Sequence, residues 1–245
     1  MSLLINQISF GYPNAVNTLN ELTFQVLPGK TLCILGASGS GKSTLLKIIA
    51  DLITPHSGHI AFNNQPIEEL KRQGRLSFMF QDPCLMPNLT VQQNVEFPSK
   101  MLGRTFVTTF LDTIRMVGLQ QSVNKLPNEL SGGMRTRTAL ARSFISQPSL
   151  LLLDEAFTGL DQGWRYDLYQ ELKTLQQRDN TTIVMVTHDI DEALELADEI
   201  CFLDCAGQLR FSIANAIAID ERSMIRTKLK TIIKEDHLKQ LQLHA

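Results

Sequence analysis

No uninterrupted apolar run in these 245 residues approaches the length of a membrane span, and the opening Met1-Ser2-Leu3-Leu4-Ile5-Asn6 has no basic region before its short apolar patch. A membrane-spanning segment and a secretory leader are therefore not expected. An excess of one charge is also missing. The 23 Lys and Arg against 25 Asp and Glu leave a formal charge of −2 and a pI near 6.2, which argues against general affinity for nucleic acid or anionic lipid. Metal-site spacing is absent among the four cysteines at 33, 84, 201 and 205. Cys201 and Cys205 have neither zinc-finger spacing nor histidine ligands nearby. All four cysteines read as reduced and structural. His56 and His59, without a Cys or carboxylate partner close in sequence, read as solvated loop or edge residues. The length suits one large α/β domain, or a domain with a modest subdomain, and supports a sizeable core without staples. Such a chain is expected in the cytosol, or held at a membrane only by partners.

What is there is organised around Gly36-Ala37-Ser38-Gly39-Ser40-Gly41-Lys42-Ser43. The stretch follows the apolar run Thr31 to Leu35 and precedes the helical pattern Thr44, Leu45, Leu46, Ile48, Ile49, so a strand should turn directly into a helix around it. That is the setting of a phosphate-binding P-loop. Glycines let successive N–H groups point inward, and the helix that starts near Lys42 adds the positive end of its dipole. Lys42 is placed to reach the β- and γ-phosphates of a nucleoside triphosphate, and the Ser43 hydroxyl to hold a Mg²⁺ bridging them. Ahead of the loop, Leu3 to Phe10, Leu22 to Val26 and Thr31 to Leu35 read as strands of a partly antiparallel layer. Tyr12, in the turn Gly11-Tyr12-Pro13, offers an aromatic ring to stack on a purine.

Further along, Arg75 to Phe80 reads as a strand ending at Gln81, whose amide is placed to contact Mg²⁺ or a water at the carboxyl edge of an open sheet. From Thr90 to about Leu126 the periodicity is helical, through Val91, Val95, Phe97, Phe106, Phe110, Leu111, Ile114, Val117 and Leu119, with Gly118 as a stop. Met86, Leu89, Phe97, Met101 and Leu102 cluster at the entrance of this insertion and suggest either a partner surface or packing on the main sheet. Leu130-Ser131-Gly132-Gly133-Met134 then opens a helix. Ser131 is a natural N-cap, and two glycines in the first turn leave N–H groups uncovered, so a second anion site arises in a chain that already has one. It needs a different anion or another subunit's nucleotide. Leu150 to Leu153, four Leu without alternation, suits a strand of a parallel sheet covered on both faces. It ends in Asp154, placed to support the Mg²⁺, and Glu155, the candidate general base for water attack on the γ-phosphorus. Thr181 to Thr187 is a second buried strand, ending at His188, which can reach a γ-phosphate. Asp220 to Leu243 reads as an amphipathic helix of mixed charge.

In this order the motifs resemble the ATP-binding subunit of an ABC (ATP-binding cassette) transporter over nearly the whole chain. The resemblance implies an α/β P-loop NTPase fold with a mostly parallel core sheet, an N-terminal antiparallel β layer and an inserted helical subdomain. A RecA-like core would occupy residues 1–82 and 148–212, the helical subdomain 83–147 and a helical tail 213–245. It implies ATP and Mg²⁺ as cofactors. Tyr12 would form the A-loop, Gly36 to Ser43 with Thr44 Walker A, Gln81 the Q-loop, Leu130 to Met134 the signature, Leu150 to Asp154 Walker B, Leu160-Asp161 the D-loop and His188 the H-loop. Two copies would pack head to tail, so that Ser131, Gly132 and Gly133 of one close over ATP on the other. Transmembrane permease subunits would be driven at the cytoplasmic face of the membrane, a solute-binding protein would take part indirectly, and nucleic acid would not. Gln81-Asp82-Pro83-Cys84-Leu85-Met86-Pro87-Asn88-Leu89-Thr90-Val91, with Asn94-Val95, is similar to the nitrate, sulfonate and taurine importer group and to thiamine-precursor importers. The same core serves exporters and lipid-extracting ATPases. Soluble cassettes of translation or DNA repair usually carry two cassettes or a long coiled-coil insertion, and this sequence has neither.

Overall fold

The computed structural model describes residues 2–13, 18–103, 107–214 and 219–243, with Phe106 of the helical pattern outside them. The chain divides into two compact units, Met1–Glu69 with Thr182–Ala245, and Leu70–Thr181.

The first unit begins with the antiparallel layer. Strand β1 (Leu3–Phe10) pairs with β2 (Leu19–Val26) on one side and with β4 (Ser57–Phe62) on the other. A two-residue strand, β5 (Gln65–Pro66), continues from β4. Burial along β1 changes phase, from Leu3 and Ile5 to Ile8 and Phe10. Strict alternation would put one of those pairs in solvent. Gln7, at φ 51°, supplies the extra residue, and the register with β2 shifts between Ile5 and Ile8, as a bulge requires. Glu21 (φ 48°) does the same in β2, which carries that strand back to Leu19 rather than to the Leu22 expected from its apolar pattern.

β3 (Thr31–Leu35) is buried at every position and lies parallel to both β8 (Thr182–Thr187) and β9 (Glu199–Leu203). β10 (Leu209–Ala214) closes this side antiparallel to β9. Strands β3 and β8 read as continuous apolar runs because both their faces are covered. Cys33 and Cys201 are buried among them. Burial pushes the Cys33 thiol well above its ordinary value, so it packs as a small neutral hydrophobe. Helix α1 (Lys42–Ile49) follows β3, α2 (Ile67–Arg72) follows β5 and α7 (Ile190–Leu196) follows β8. His56 and His59 are exposed, as read from the sequence. The terminal helix α8 runs Ile219–Leu243, but its apolar residues are spread around it rather than gathered in one stripe. It is fastened by Arg222 to Glu195 (3.4 Å), by Arg226 to Asp191, and by the Asp236 carboxylate accepting from the Cys205 N–H at 3.0 Å.

In the second unit β6 (Leu76–Met79) lies parallel to β7 (Leu150–Asp154). The helices here are α3 (Val91–Met101), α4 (Val107–Met116), α5 (Gly132–Phe144) and α6 (Gln162–Asp179). Thr90 and Gln93 form a reciprocal capping box at the start of α3.

Candidate functional site

In the first unit, β3 runs into residues 36–41 and Gly41, at φ 97°, opens α1 with no side-chain cap. The first N–H groups of the helix are therefore left for a ligand. A Cβ on Gly36 would overlap the Leu203 carbonyl oxygen and sit 2.7 Å from Ser40 Oγ, so the loop closes down on the end of β9 only because residue 36 has no side chain. Ser40 Oγ is buried and without a hydrogen-bond partner, which suits a ligand that brings an acceptor oxygen. Lys42 is 5% exposed and its Nζ donates to the carbonyls of Gly36 (2.9 Å) and Ala37 (2.8 Å). Neutral carbonyls hold an ammonium less strongly than an ionised phosphate oxygen does. Ser38 and Gly39 are exposed, and Ala37 and Ser43 half-buried. Thr44 shares a 3.3 Å hydrogen bond with the Tyr12 hydroxyl, and the Tyr12 ring meets Phe10 edge-on at 5.0 Å. These two contacts orient an aromatic ring that is 44% exposed.

His188 is exposed, one residue past β8. The turn beyond it is tightly held: the Asp189 N–H donates to Thr187 Oγ1 (3.0 Å), and that hydroxyl donates to Glu192 Oε2 (3.1 Å). The Asp189 carboxylate in turn caps α7 through Asp191 N (2.9 Å) and Glu192 N (3.4 Å). Thr187, Asp189 and Glu192 were not among the expected site residues. Their signal was the Asp-x-x-Glu spacing after a strand, which marks a helix start.

In the second unit Asp154 ends β7 and is 4% exposed. Glu155 follows at φ 46°, a region that costs a non-glycine residue energy and is held by the surrounding structure, often at functional sites. Gln81 Nε2 donates to Glu155 Oε2 at 3.1 Å, so these two predicted residues meet. The loop after Gln81 is held by two residues that sequence reasoning missed. Arg142, from α5, donates to the carbonyls of Cys84 (2.9 Å) and Pro83 (2.7 Å), and burial pulls its pKa down. Asn94 is fully buried. It accepts from Met86 N (2.8 Å) and donates to the carbonyls of Met86 (3.1 Å), Leu89 (2.8 Å) and Thr90 (3.1 Å).

Ser131 caps α5, its Oγ accepting from Met134 N at 3.3 Å. The Cβ position of Gly132 faces open space, and that of Gly133 lies 3.6 Å from Leu160 Cδ2. The start of the helix is thus uncovered and stands beside Leu160. Asp161 caps α6, accepting from Trp164 N at 3.0 Å.

Among the described residues no group of three or more His, Cys, Asp or Glu side chains could hold a metal ion. Taken singly, Ser43 of the first unit and Asp154 and Gln81 of the second carry a hydroxyl, a carboxylate and an amide oxygen, hard donors of the kind that suits Mg²⁺. The 680 Å³ groove of the first unit, lined by Leu4, Ile48, Asp51, Ile60 and Glu68 among others, contains none of the predicted site residues.

Residues 19–158 match the family model described as "ABC transporter". A probable sulfate/thiosulfate import ATP-binding protein of Chlorella vulgaris is 39% identical over 83% of this chain and 88% of its own. A sulfate/thiosulfate import ATP-binding protein of Synechocystis is 41% identical over 82% of this chain, and a spermidine/putrescine import ATP-binding protein of Salmonella typhimurium 37% over 81%. The chain spans only 57% and 53% of the length of those two bacterial relatives. Among solved structures, the dimeric post-hydrolysis state of the ATP-binding cassette MJ0796 with ADP and Pi superposes with a TM-score of 0.81 at 29% identity, covering 88% of this chain and 100% of that one. The α/β cassette fold read from the motifs is the fold found. The chain belongs to the ABC transporter family, as one of its ATP-binding cassettes and an ATPase of that family.

Proposed function

We propose that this cassette supplies the energy for a membrane importer, coupling MgATP hydrolysis to uptake of a small solute by separate subunits. The observation that carries this reading is the uncovered start of α5: Ser131 at the cap and a glycine with open space beside it form an anion site additional to the loop at Gly36 to Ser43. A second copy of the chain, packed head to tail with its own ATP, brings the anion that such a site needs. Tyr12 stacks on the base, residues Gly36 to Thr44 wrap the phosphates, and Lys42 neutralises them. Ser43, Asp154 and Gln81 would hold Mg²⁺, which would supply positive charge against the phosphates. Glu155 orients and deprotonates the attacking water, His188 steadies the γ-phosphate, and Ser131, Gly132, Gly133 and Asp161 act on the ATP of the other copy.

Permease subunits dock on the helical subdomain, residues 83–147, at the cytoplasmic face of the membrane. Support comes from Met86 and Met101, 43% and 73% exposed, and from a cleft of about 300 Å³ lined by Phe78, Pro98, Met101, Leu102 and Arg142. Among the described residues no helix is long and apolar enough to cross a membrane. For the solute, the stretch Gln81 to Val91 favours a nitrate, sulfonate, taurine or thiamine-precursor group. Relatives named for sulfate, polyamine and Fe(3+) import support import in general.

Glu155→Gln tests the site. With ATP it should keep nucleotide bound, lose at least about 10²-fold in phosphate release and run in light scattering at about twice the 27.5 kDa of one chain. Hydrolysis at the parent rate would remove Glu155 from its role.

A further inference from the structure

The second unit contains a stack that none of the roles above uses. Trp164, the single tryptophan of the chain, stands in the first turn of α6, three residues past Asp161, and is 38% exposed. The Arg137 guanidinium, from α5, lies over its ring with 4.3 Å from Cζ to the centroid. Arg137 Nη1 also donates to the Val117 carbonyl at 3.0 Å, just before Gly118. A Cβ on Gly118, which sits at φ 64°, would overlap the six-membered part of the indole. Three segments therefore converge on one ring: the turn ending α4, the signature helix α5 and the start of α6. Burial lowers the Arg137 pKa while the Asp161 carboxylate opposes that shift, which adds an electrostatic link between this arginine and the cap of α6. In the same unit, the Cβ position of Gly133 lies 3.6 Å from Leu160 Cδ2 and 4.0 Å from the Gly159 carbonyl. The signature turn and the residues before Asp161 are thus close neighbours as well.

We propose that Trp164 is a positioning residue: held between Gly118 and Arg137, it locks the signature helix and the Asp161 turn into one body. Ser131, Gly132, Gly133 and Asp161 then meet the nucleotide of a second copy together. The proposal rests on the head-to-tail reading of the function. Its physical basis is that a planar ring fills the space between a bare backbone and a cation and sets their separation. A small side chain leaves both unsupported, and α5 and α6 become free to approach the second copy one at a time. Preorganisation of this kind changes assembly and turnover, leaving the first nucleotide contact in each separate chain intact.

The test compares Trp164→Ala, Trp164→Phe and Arg137→Gln, alone and with Arg137→Gln combined with Trp164→Ala, in the full chain. Affinity for a fluorescent ATP analogue in dilute, monomeric protein should stay within about two-fold of the parent in all of them. ATPase kcat should fall about ten-fold in Trp164→Ala, and the protein concentration for half-maximal ATP-driven assembly in a Glu155→Gln background should rise by about the same factor. Trp164→Phe should recover most of both, and the double variant should be no worse than Trp164→Ala alone. In the Glu155→Gln protein, ATP-driven assembly should also shift the emission of this single tryptophan.

Parent-like kcat and assembly in Trp164→Ala would overturn the proposal, as would losses that multiply in the double variant. A Phe variant as impaired as the Ala variant, or losses that simply follow a lowered Tm together with monomer ATP affinity, would overturn it too. These outcomes leave the proposed function standing wherever the parent chain hydrolyses ATP and assembles. A parent chain that does neither takes both readings down.

Discussion

Gly36 and Lys42 show how far single residues can be read. The loop's glycines and its lysine are legible in the sequence because their role depends on backbone conformations and a charge that neighbouring residues supply. The contact that makes Gly36 indispensable is not local. It is the carbonyl of Leu203, at the end of a strand far along the chain. A backbone oxygen cannot swing aside, so Gly36→Ala must open the loop or push β9, at a cost of about 1–3 kcal/mol by overpacking. The expected result is a weakening of nucleotide binding by at least about ten-fold in a direct titration, at a Tm lowered by only a few degrees. Unchanged affinity would mean that the loop adopts another shape when ligand binds. Asn94 and Arg142 lie at the other extreme. Both anchor the loop after Gln81 through backbone carbonyls, and a carbonyl has no residue-type signature, so neither role could be read from a residue list.

At the scale of elements, the strands were legible where burial is uniform and blurred where a bulge intervenes. β3, β7 and β8 stand out as unbroken apolar runs. β2 starts three residues earlier than its pattern suggests because Glu21 breaks the alternation. The short β5 and α2 carry too few residues for a periodicity to appear. The start of α5 was legible because Ser131 caps it in the way its position indicates. Ser131→Ala separates the cap that hydroxyl makes from the nucleotide contact proposed for it. Losing the cap costs about 1 kcal/mol of stability. Losing a nucleotide contact from the second copy should abolish ATP-driven assembly in a Glu155→Gln background. ATP binding to the single chain, measured by titration, should be unaffected. Assembly that persists in proportion to the folded fraction would reduce Ser131 to a structural cap.

At the scale of the whole molecule, the proposed function requires membrane partners. Tagged protein purified from gently solubilised membranes of its host should bring down a polytopic membrane protein, identified by mass spectrometry. Recovery of soluble partners alone, beside an intact control transporter, would favour a cassette that acts outside transport. The sequence by itself determined the glycine-rich loop before α1, the two carboxylates at the end of β7, the capped start of α5 and hence the family, since each is a local pattern of charge, glycine and apolar run. Only the tertiary structure decided that Gln81 donates to Glu155 and that Lys42 is folded onto its own loop. Only it could show that Arg142 grips Pro83 and Cys84, or that Trp164 lies between Gly118 and Arg137. The reason is the same in each case: these contacts join residues far apart in the chain, or side chains to backbone, and their energy depends on distances that folding sets and no local pattern records.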